Sequence, residues 1–207
     1  MAQTIATDRQ SNANPEPGKT QRLLLHCCCA PCASYVLEYL SPQYDITIFY
    51  YNPNIQPREE YDKRAAQFDI LLKLAKYENK VELLFGEYAS SDYEAAAAPF
   101  ANEPEGGKRC SVCFALRLEE AAKRAKSGGF DCFTSTLSVS PHKNAELLNR
   151  IGNELAEEYA VEYLEADFKK RDGYKRSVEL SKQYGLYRQM YCGCRWSNND
   201  RSSARIT

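Results

Sequence analysis

Short apolar runs alternate with segments of helical spacing along almost the whole chain. The runs are Arg22–Cys27 (RLLLHC), Asp45–Tyr51 (DITIFYY), Val81–Phe85, Phe130–Val139 (FDCFTSTLSV) and Val161–Ala166. They are rich in leucine, β-branched and aromatic residues, as strands are. Between them, Ser34–Leu40, Arg58–Tyr77, the stretch after Cys110, Leu147–Tyr159 and Tyr174–Tyr184 carry apolar residues three and four apart, the helical period. Asn52-Pro53-Asn54 stops the second run and Gly128-Gly129 ends the long helix. Residues 86–108 read as a surface excursion with one helical turn at Ala95–Ala98. This alternation predicts an α/β fold: a mainly parallel sheet of about five strands flanked by helices, Rossmann-like, with an HUP- or PP-loop-like strand order. One domain is expected over residues 21–207. The first twenty residues, MAQTIATDRQSNANPEPGKT, are too polar to offset ordering entropy and read as a disordered tail.

The nine cysteines are clustered: Cys27, Cys28, Cys29 and Cys32, then Cys110 and Cys113, a lone Cys132, and Cys192 with Cys194. Secreted disulfide scaffolds are shorter and spread their cysteines through loops. The tail has no apolar stretch of the signal-peptide type and no run is long enough to span a membrane, so the pattern predicts a cytoplasmic protein whose thiols serve metal or redox chemistry. The net charge of −1 rules out a globally basic field, so any nucleic-acid partner needs a local patch.

The first cysteine group falls at the carboxyl end of the first strand, where open α/β sheets form their ligand crevices. Cys110-Ser-Val-Cys113 is a CxxC at a helix start; residues three apart share a face there, and the helix N-terminus favours thiolate. Together the two groups offer four thiolates for one Fe–S cluster or for one zinc, and spacing alone does not choose between them. A zinc site that only braces the fold needs no third group, yet Cys192-Gly-Cys194 follows. Two thiols one glycine apart can close a strained, reducible ring, or remain unlinked in a loop. Cys29-Ala-Pro-Cys32 also fits a thioredoxin-like CxxC after a strand, so a protein thiol–disulfide oxidoreductase is a competing reading. A zinc-stabilised RNA-binding module without catalysis is a third. Cys27 and Cys132 lie in apolar strands and read as buried small hydrophobes, and His26 as a satisfied strand-end residue.

Taken in order, HCCCAPC, FYYNPNIQPREEYDKR, KRCSVCFALRLEEAA, FTSTLSVSPHKN and GLYRQMYCGCRWS resemble the blocks of the QueH family of cobalamin-independent epoxyqueuosine reductases, over residues 22 to 197. The resemblance implies reduction of epoxyqueuosine to queuosine at the wobble position of tRNA. It implies a 4Fe–4S cluster on Cys28, Cys29, Cys110 and Cys113, a redox-active pair at Cys192 and Cys194, and a second mononuclear iron or zinc, for which Cys32 is the candidate ligand. Relatives carry an apolar residue where this chain has Cys27; alignment through Ala30-Pro31-Cys32 assigns the pair to Cys28 and Cys29. An external electron donor is also implied.

Proton-donor candidates are His142, in SPHKN, and Tyr191. Lys169, Lys170, Arg171, Lys175 and Arg176 form a basic run around Tyr174, and Arg188 and Arg195 flank the CGC pair with Tyr187, Tyr191 and Trp196 interleaved. Cations for phosphates and aromatics for unstacked bases suit an anticodon loop, although a charged run is also what a solvated face looks like. Asn52, Asn54, Ser135, Thr136 and Ser140 fall in loops or strand ends that this topology places around the crevice, as candidates for holding the modified base.

Overall fold

The computed structural model describes residues 20–197. The expected tail lies outside the described residues, apart from Thr20. Five strands, β1 (Gln21–His26), β2 (Tyr44–Tyr50), β3 (Val81–Phe85), β4 (Cys132–Ser135) and β5 (Glu162–Tyr163), form one sheet in the order β3-β2-β1-β4-β5. Every pairing is parallel. This is the fold class read from the sequence, with the Rossmann strand order.

Helices bounded within the described residues flank the sheet: α1 (Ala30–Leu40), α2 (Arg58–Ala65), α3 (Gln67–Leu74), α4 (Ser90–Ala97), α5 (Lys108–Ser127), α6 (Ala145–Tyr159) and α7 (Gly173–Gln183). Leu23, Leu24 and Leu25 are consecutive and all fully buried. Successive strand side chains point to opposite faces, so both faces of β1 must be covered. Leu23 and Leu25 join Leu37, Phe68, Leu71 and Leu180 on one side. Leu24 joins Leu118, Ala121, Ile151 and Leu155 on the other.

Four boundaries differ from the sequence reading. The helix expected over Arg58–Tyr77 breaks at Ala66 and stops where Ala75 turns extended. The excursion at 86–108 holds all of α4, because Tyr93 and Ala97 bury against Cys113 and Cys194. The last strand shrinks to two residues. The fourth strand ends at Ser135, whose hydroxyl accepts from the Leu137 N–H (3.2 Å) and turns the chain into a 3-10 turn over Thr136–Val139. A serine that bonds two residues onward competes with ladder pairing in this way.

β1 has β2 on one side and β4 on the other, so the crossovers leave it in opposite directions. The crevice between them, above Cys27 at the end of β1 and Ser135 at the end of β4, is the topological switch point.

Candidate sulfur-lined active site

β1 stops at His26 and α1 begins at Ala30, with extended Cys29 as its N-cap and Pro31 in its first turn. Proline fits there because that N–H has no helical partner. Cys32 occupies the third helical position, beside the N-cap, so the CxxC brings its sulfurs together over the helix end. The sulfurs of Cys28, Cys29 and Cys32 lie within 4.8 Å of one another, the one such potential metal-holding group among the described residues. Those of Cys28 and Cys29 are 3.7 Å apart.

Thiol hydrogen bonds from Cys29 and then Cys32 outweigh burial and hold Cys28 well below the ordinary cysteine range, assisted by Lys143 and Arg117. The hydrogen bond shared with Cys28 raises Cys29, and the same sharing raises Cys32. The first proton of this trio therefore leaves from Cys28. Thr136, delivered by the 3-10 turn, accepts from the Cys28 N–H at 3.4 Å and lies 3.9 Å from its sulfur. The Gln189 amide donates to the Cys29 sulfur at 3.1 Å.

Cys110 and Cys113 stand in the first two turns of α5, outside the 4.8 Å group. Burial raises both thiols, and Cys113 reaches about 12, so burial outweighs the thiolate preference expected of a helix start. Their link to the β1 loop is Arg117, one turn beyond Cys113. Its guanidinium lies 4.0 Å from the Cys113 sulfur and donates to Asn52 Oδ1. Asn52 in turn donates to the Cys27 carbonyl at 2.8 Å. Arg117 is 1 % exposed. A charge so buried requires partners, and the sulfurs of Cys113, Cys28 and Cys192 keep it cationic against the cost of desolvation.

The terminal CGC segment closes the site from a third direction. Arg64, buried and held by Glu60 (2.7 Å), donates to the Cys192 carbonyl at 3.0 Å and the Tyr191 carbonyl at 3.3 Å, and Gln56 N–H donates to the Gly193 carbonyl at 2.9 Å. Gly193 has φ +112°, and a Cβ there would sit 3.0 Å from both Arg64 and Ile55. Only glycine fits both constraints. Cys192 is partly exposed and Cys194 buried, and both are free thiols, like the other seven cysteines. Cys194 packs with Cys113, Tyr93 and Ala97.

A cavity of about 280 Å³ opens over this assembly, lined by Cys28, Cys32 and Cys192 with Asn54, Arg64, Arg117, His142, Lys143, Arg188, Gln189 and Tyr191 among others. A larger one of about 760 Å³, beside β5, has no cysteine in its lining and no link to this chemistry. The smaller cavity is the candidate site.

The remaining sequence candidates sort by position. His142 is exposed on the cavity rim, while Tyr191 lies beneath the Arg64 guanidinium, 5.2 Å from its ring centre. Asn54 is buried in the wall. Asn52, Ser135 and Thr136 are buried too, with hydrogen bonds directed inside the fold; Ser135 bonds His26 Nδ1 at 2.8 Å. Of the basic run, Lys169 and Lys170 share Asp167 (2.7 and 3.8 Å), Arg176 forks onto Glu38 (2.9 and 2.8 Å), and Lys175 is exposed. Arg171 is exposed at φ +51° just before α7. Arg188 donates to Ser181 Oγ at 3.2 Å and reaches the cavity itself. Cys27 stays apart from the trio, donating to the Leu25 carbonyl, and Cys132 is buried in β4; burial raises both thiols, as befits small hydrophobes.

The sequence reading passed over Arg64, Arg117, Lys143 and Gln189. A signal for Arg117 existed: the buried face of α5 runs Arg109, Cys113, Arg117, Ala121, Ala125, and an arginine on an inward stripe is anomalous. Lys143 and Gln189 sit in loops, where no periodicity marks an inward side chain.

A sequence profile of the family described as Epoxyqueuosine reductase QueH matches residues 23–200. A Streptococcus pyogenes serotype M1 protein named Epoxyqueuosine reductase QueH is 45 % identical over 174 residues, 83 % of this chain and 68 % of that protein. Proteins of the same name from Acinetobacter baylyi and Thermotoga maritima are 37 % identical over 193 residues and 36 % identical over 178 residues. Those alignments cover 92 % and 84 % of this chain, and 87 % and 89 % of the relatives. This chain belongs to the epoxyqueuosine reductase QueH family.

Proposed function

We propose that the protein reduces epoxyqueuosine to queuosine at the wobble position of tRNA in the cytoplasm, with a 4Fe–4S cluster on Cys28, Cys29, Cys110 and Cys113. The observation that carries this reading is the convergence of Cys28, Cys29 and Cys32 at the switch point, with Arg117 tying the helix of Cys113 to the same loop. The thiols of the β1 loop suit one side of such a group, and Cys110 and Cys113, outside the 4.8 Å trio, would close on it from α5. Thiolates are its ligands, Cys28 is poised as one, and Arg64, Arg117 and Lys143 supply the positive charge that several gathered thiolates require. A cluster bound there would supply electrons singly at low potential.

Cys192 and Cys194 act as the two-electron pair. As their thiols close to a disulfide, two electrons and two protons pass to the substrate, the epoxide oxygen leaves as water, and the two ring carbons gain a double bond. An external donor then restores the dithiol. His142 and Tyr191 are the groups proposed to pass a proton to the departing oxygen. Cys32, left over from the cluster set, is the proposed ligand of a mononuclear iron or zinc. Lys169, Lys170, Arg171, Lys175, Arg176 and Arg188 are proposed to meet tRNA phosphates, and Asn54 the modified base. Asn52, Ser135 and Thr136, engaged within the fold, are proposed to position the sulfur loop. No helix among the described residues is long and apolar enough to cross a membrane.

The rival thiol–disulfide reading needs Cys29 as the acidic thiol of a CxxC. It is raised instead, first by its hydrogen bond with Cys28; the acidic thiol of the trio is Cys28, outside the CxxC.

Anaerobic purification with iron, sulfide and visible absorption tests the cluster. A brown protein is expected, bleached by Cys110→Ser or Cys113→Ser with loss of turnover; a colourless variant that still turns over would sink the cluster. Mass spectrometry of wobble nucleosides from a strain lacking the protein tests the substrate. Epoxyqueuosine should accumulate, and a normal queuosine level would overturn the assignment.

A further inference from the structure

Two buried amide oxygens of residues that line the sulfur-lined cavity have no donor. Asn54 is 1 % exposed and its Oδ1 accepts nothing from any described residue; the same holds for Gln189 Oε1. Both residues line the cavity that holds Cys28, Cys32 and Cys192. A buried acceptor left without a donor is costly, so such atoms mark where a partner is to be found. The orientation of Gln189 is fixed by chemistry. A ligating Cys29 thiolate only accepts, so the Gln189 amide turns its Nε2 to the sulfur (3.1 Å), which leaves Oε1 as the unpartnered end.

Acceptors without donors select against a phosphate, which at neutral pH has mainly oxygens to offer, even though Arg64, Lys143 and Arg188 line the same walls. They call for a ligand portion that carries hydroxyl or amine hydrogens. Epoxyqueuosine has such a portion beside its reacting carbons: the two hydroxyls of its cyclopentane ring. Building on the proposed function, we propose that Asn54 and Gln189 form a two-point seat for this diol. Asn54 Oδ1 and Gln189 Oε1 each accept from one hydroxyl and hold the epoxide edge of the ring toward Cys28 and Cys192. Gln189 thereby couples the seat to the sulfur centre, since one amide touches both. The cations of the rim are left for the phosphates on either side of the modified nucleotide.

Fluorescence anisotropy with two versions of one tRNA tests the seat without any turnover. One carries epoxyqueuosine; the other carries the aminomethyl-deazaguanine precursor, which lacks the ring. The protein should prefer the ring-bearing tRNA by roughly tenfold or more, because a site built to bond hydroxyls rejects an analogue without them. Asn54→Leu and Gln189→Met should each cut that preference, read as the ratio of the two affinities, several-fold. Gln189 lies in a partly exposed loop, so Gln189→Met decides the matter where Asn54→Leu does not fold. No preference in the unaltered protein, or an undiminished one in Gln189→Met, overturns the seat. Turnover by the cluster-loaded unaltered protein is scored separately, so a failed reductase reading and a failed seat give different results.

Discussion

His26 shows how much one buried side chain fixes. Its Nε2 faces the Tyr51 carbonyl at 3.1 Å and its Nδ1 the Ser135 hydroxyl at 2.8 Å. The carbonyl only accepts, so Nε2 carries the hydrogen and the serine donates to Nδ1. Burial, then Arg117, lower its pKa from 6.5 to about 3. The ring is therefore neutral in the fold, while the unfolded chain takes up a proton below pH 6.5. Stability from this residue is complete above pH 6.5 and declines as the pH falls, by about 1.4 kcal/mol per unit. Urea unfolding of the metal-free protein should show the advantage over His26→Gln shrinking by that amount per unit between pH 6.5 and 4.5; parallel stability curves would refute it. Cys192 and Cys194 offer a second test at this scale. Replacing either by serine should preserve the brown colour and slow turnover by roughly tenfold or more with a dithiol donor, because the pair is proposed to carry electrons rather than iron. Unchanged kinetics in both variants would reduce it to structure.

The elements matter through their ends. The loop after β1 gives the cavity Cys28, the start of α1 gives Cys32 and the residue after the 3-10 turn gives Ser140, while Arg64 and Gln56 strap the CGC segment in place. Gly193 holds that strap with a backbone angle and a close approach that no other residue tolerates. Gly193→Ala should weaken it by about 1–2 kcal/mol. Amide exchange across residues 188–194 should quicken by about tenfold while β1 and β2 keep their protection; a uniform change would place the damage in the global fold. The packing of α6 is as tight. A Cβ on Gly152 would meet the Tyr163 ring at 2.4 Å, so Gly152→Ala should cost about 1–3 kcal/mol as overpacking, read by thermal unfolding.

At the scale of the molecule, the net charge of −1 hides an uneven distribution. Arg64, Arg117, Lys143 and Arg188 share one cavity with the single carboxylate of Glu105. Lys169, Lys170 and Arg176 are paired to acids. The exposed Arg176–Glu38 pair contributes little, about 0–1 kcal/mol, so its exchange for a phosphate is inexpensive. Binding to tRNA should therefore weaken steeply with salt, the logarithm of affinity falling linearly with the logarithm of salt concentration. Anisotropy from 50 to 300 mM salt checks it, and a flat response would remove the basic run from the interface.

The alternation of apolar runs with helical segments determined the parallel sheet by itself, because burying both faces of a strand such as Leu23–Leu25 leaves no other economical architecture. The cysteine spacing likewise marked the end of β1 as the place where sulfurs gather, since CxxC at a helix start brings its sulfurs together through local geometry alone. Local rules did not reach Arg64, Lys143 or Gln189, which face the sulfurs of the β1 loop across 35 to 160 positions of chain. Nor did they give the brevity of β5, or the burial that raises Cys110 and Cys113 against the helix end. Those outcomes depend on which surfaces pack together and on how much water they exclude, and only the folded chain decides that.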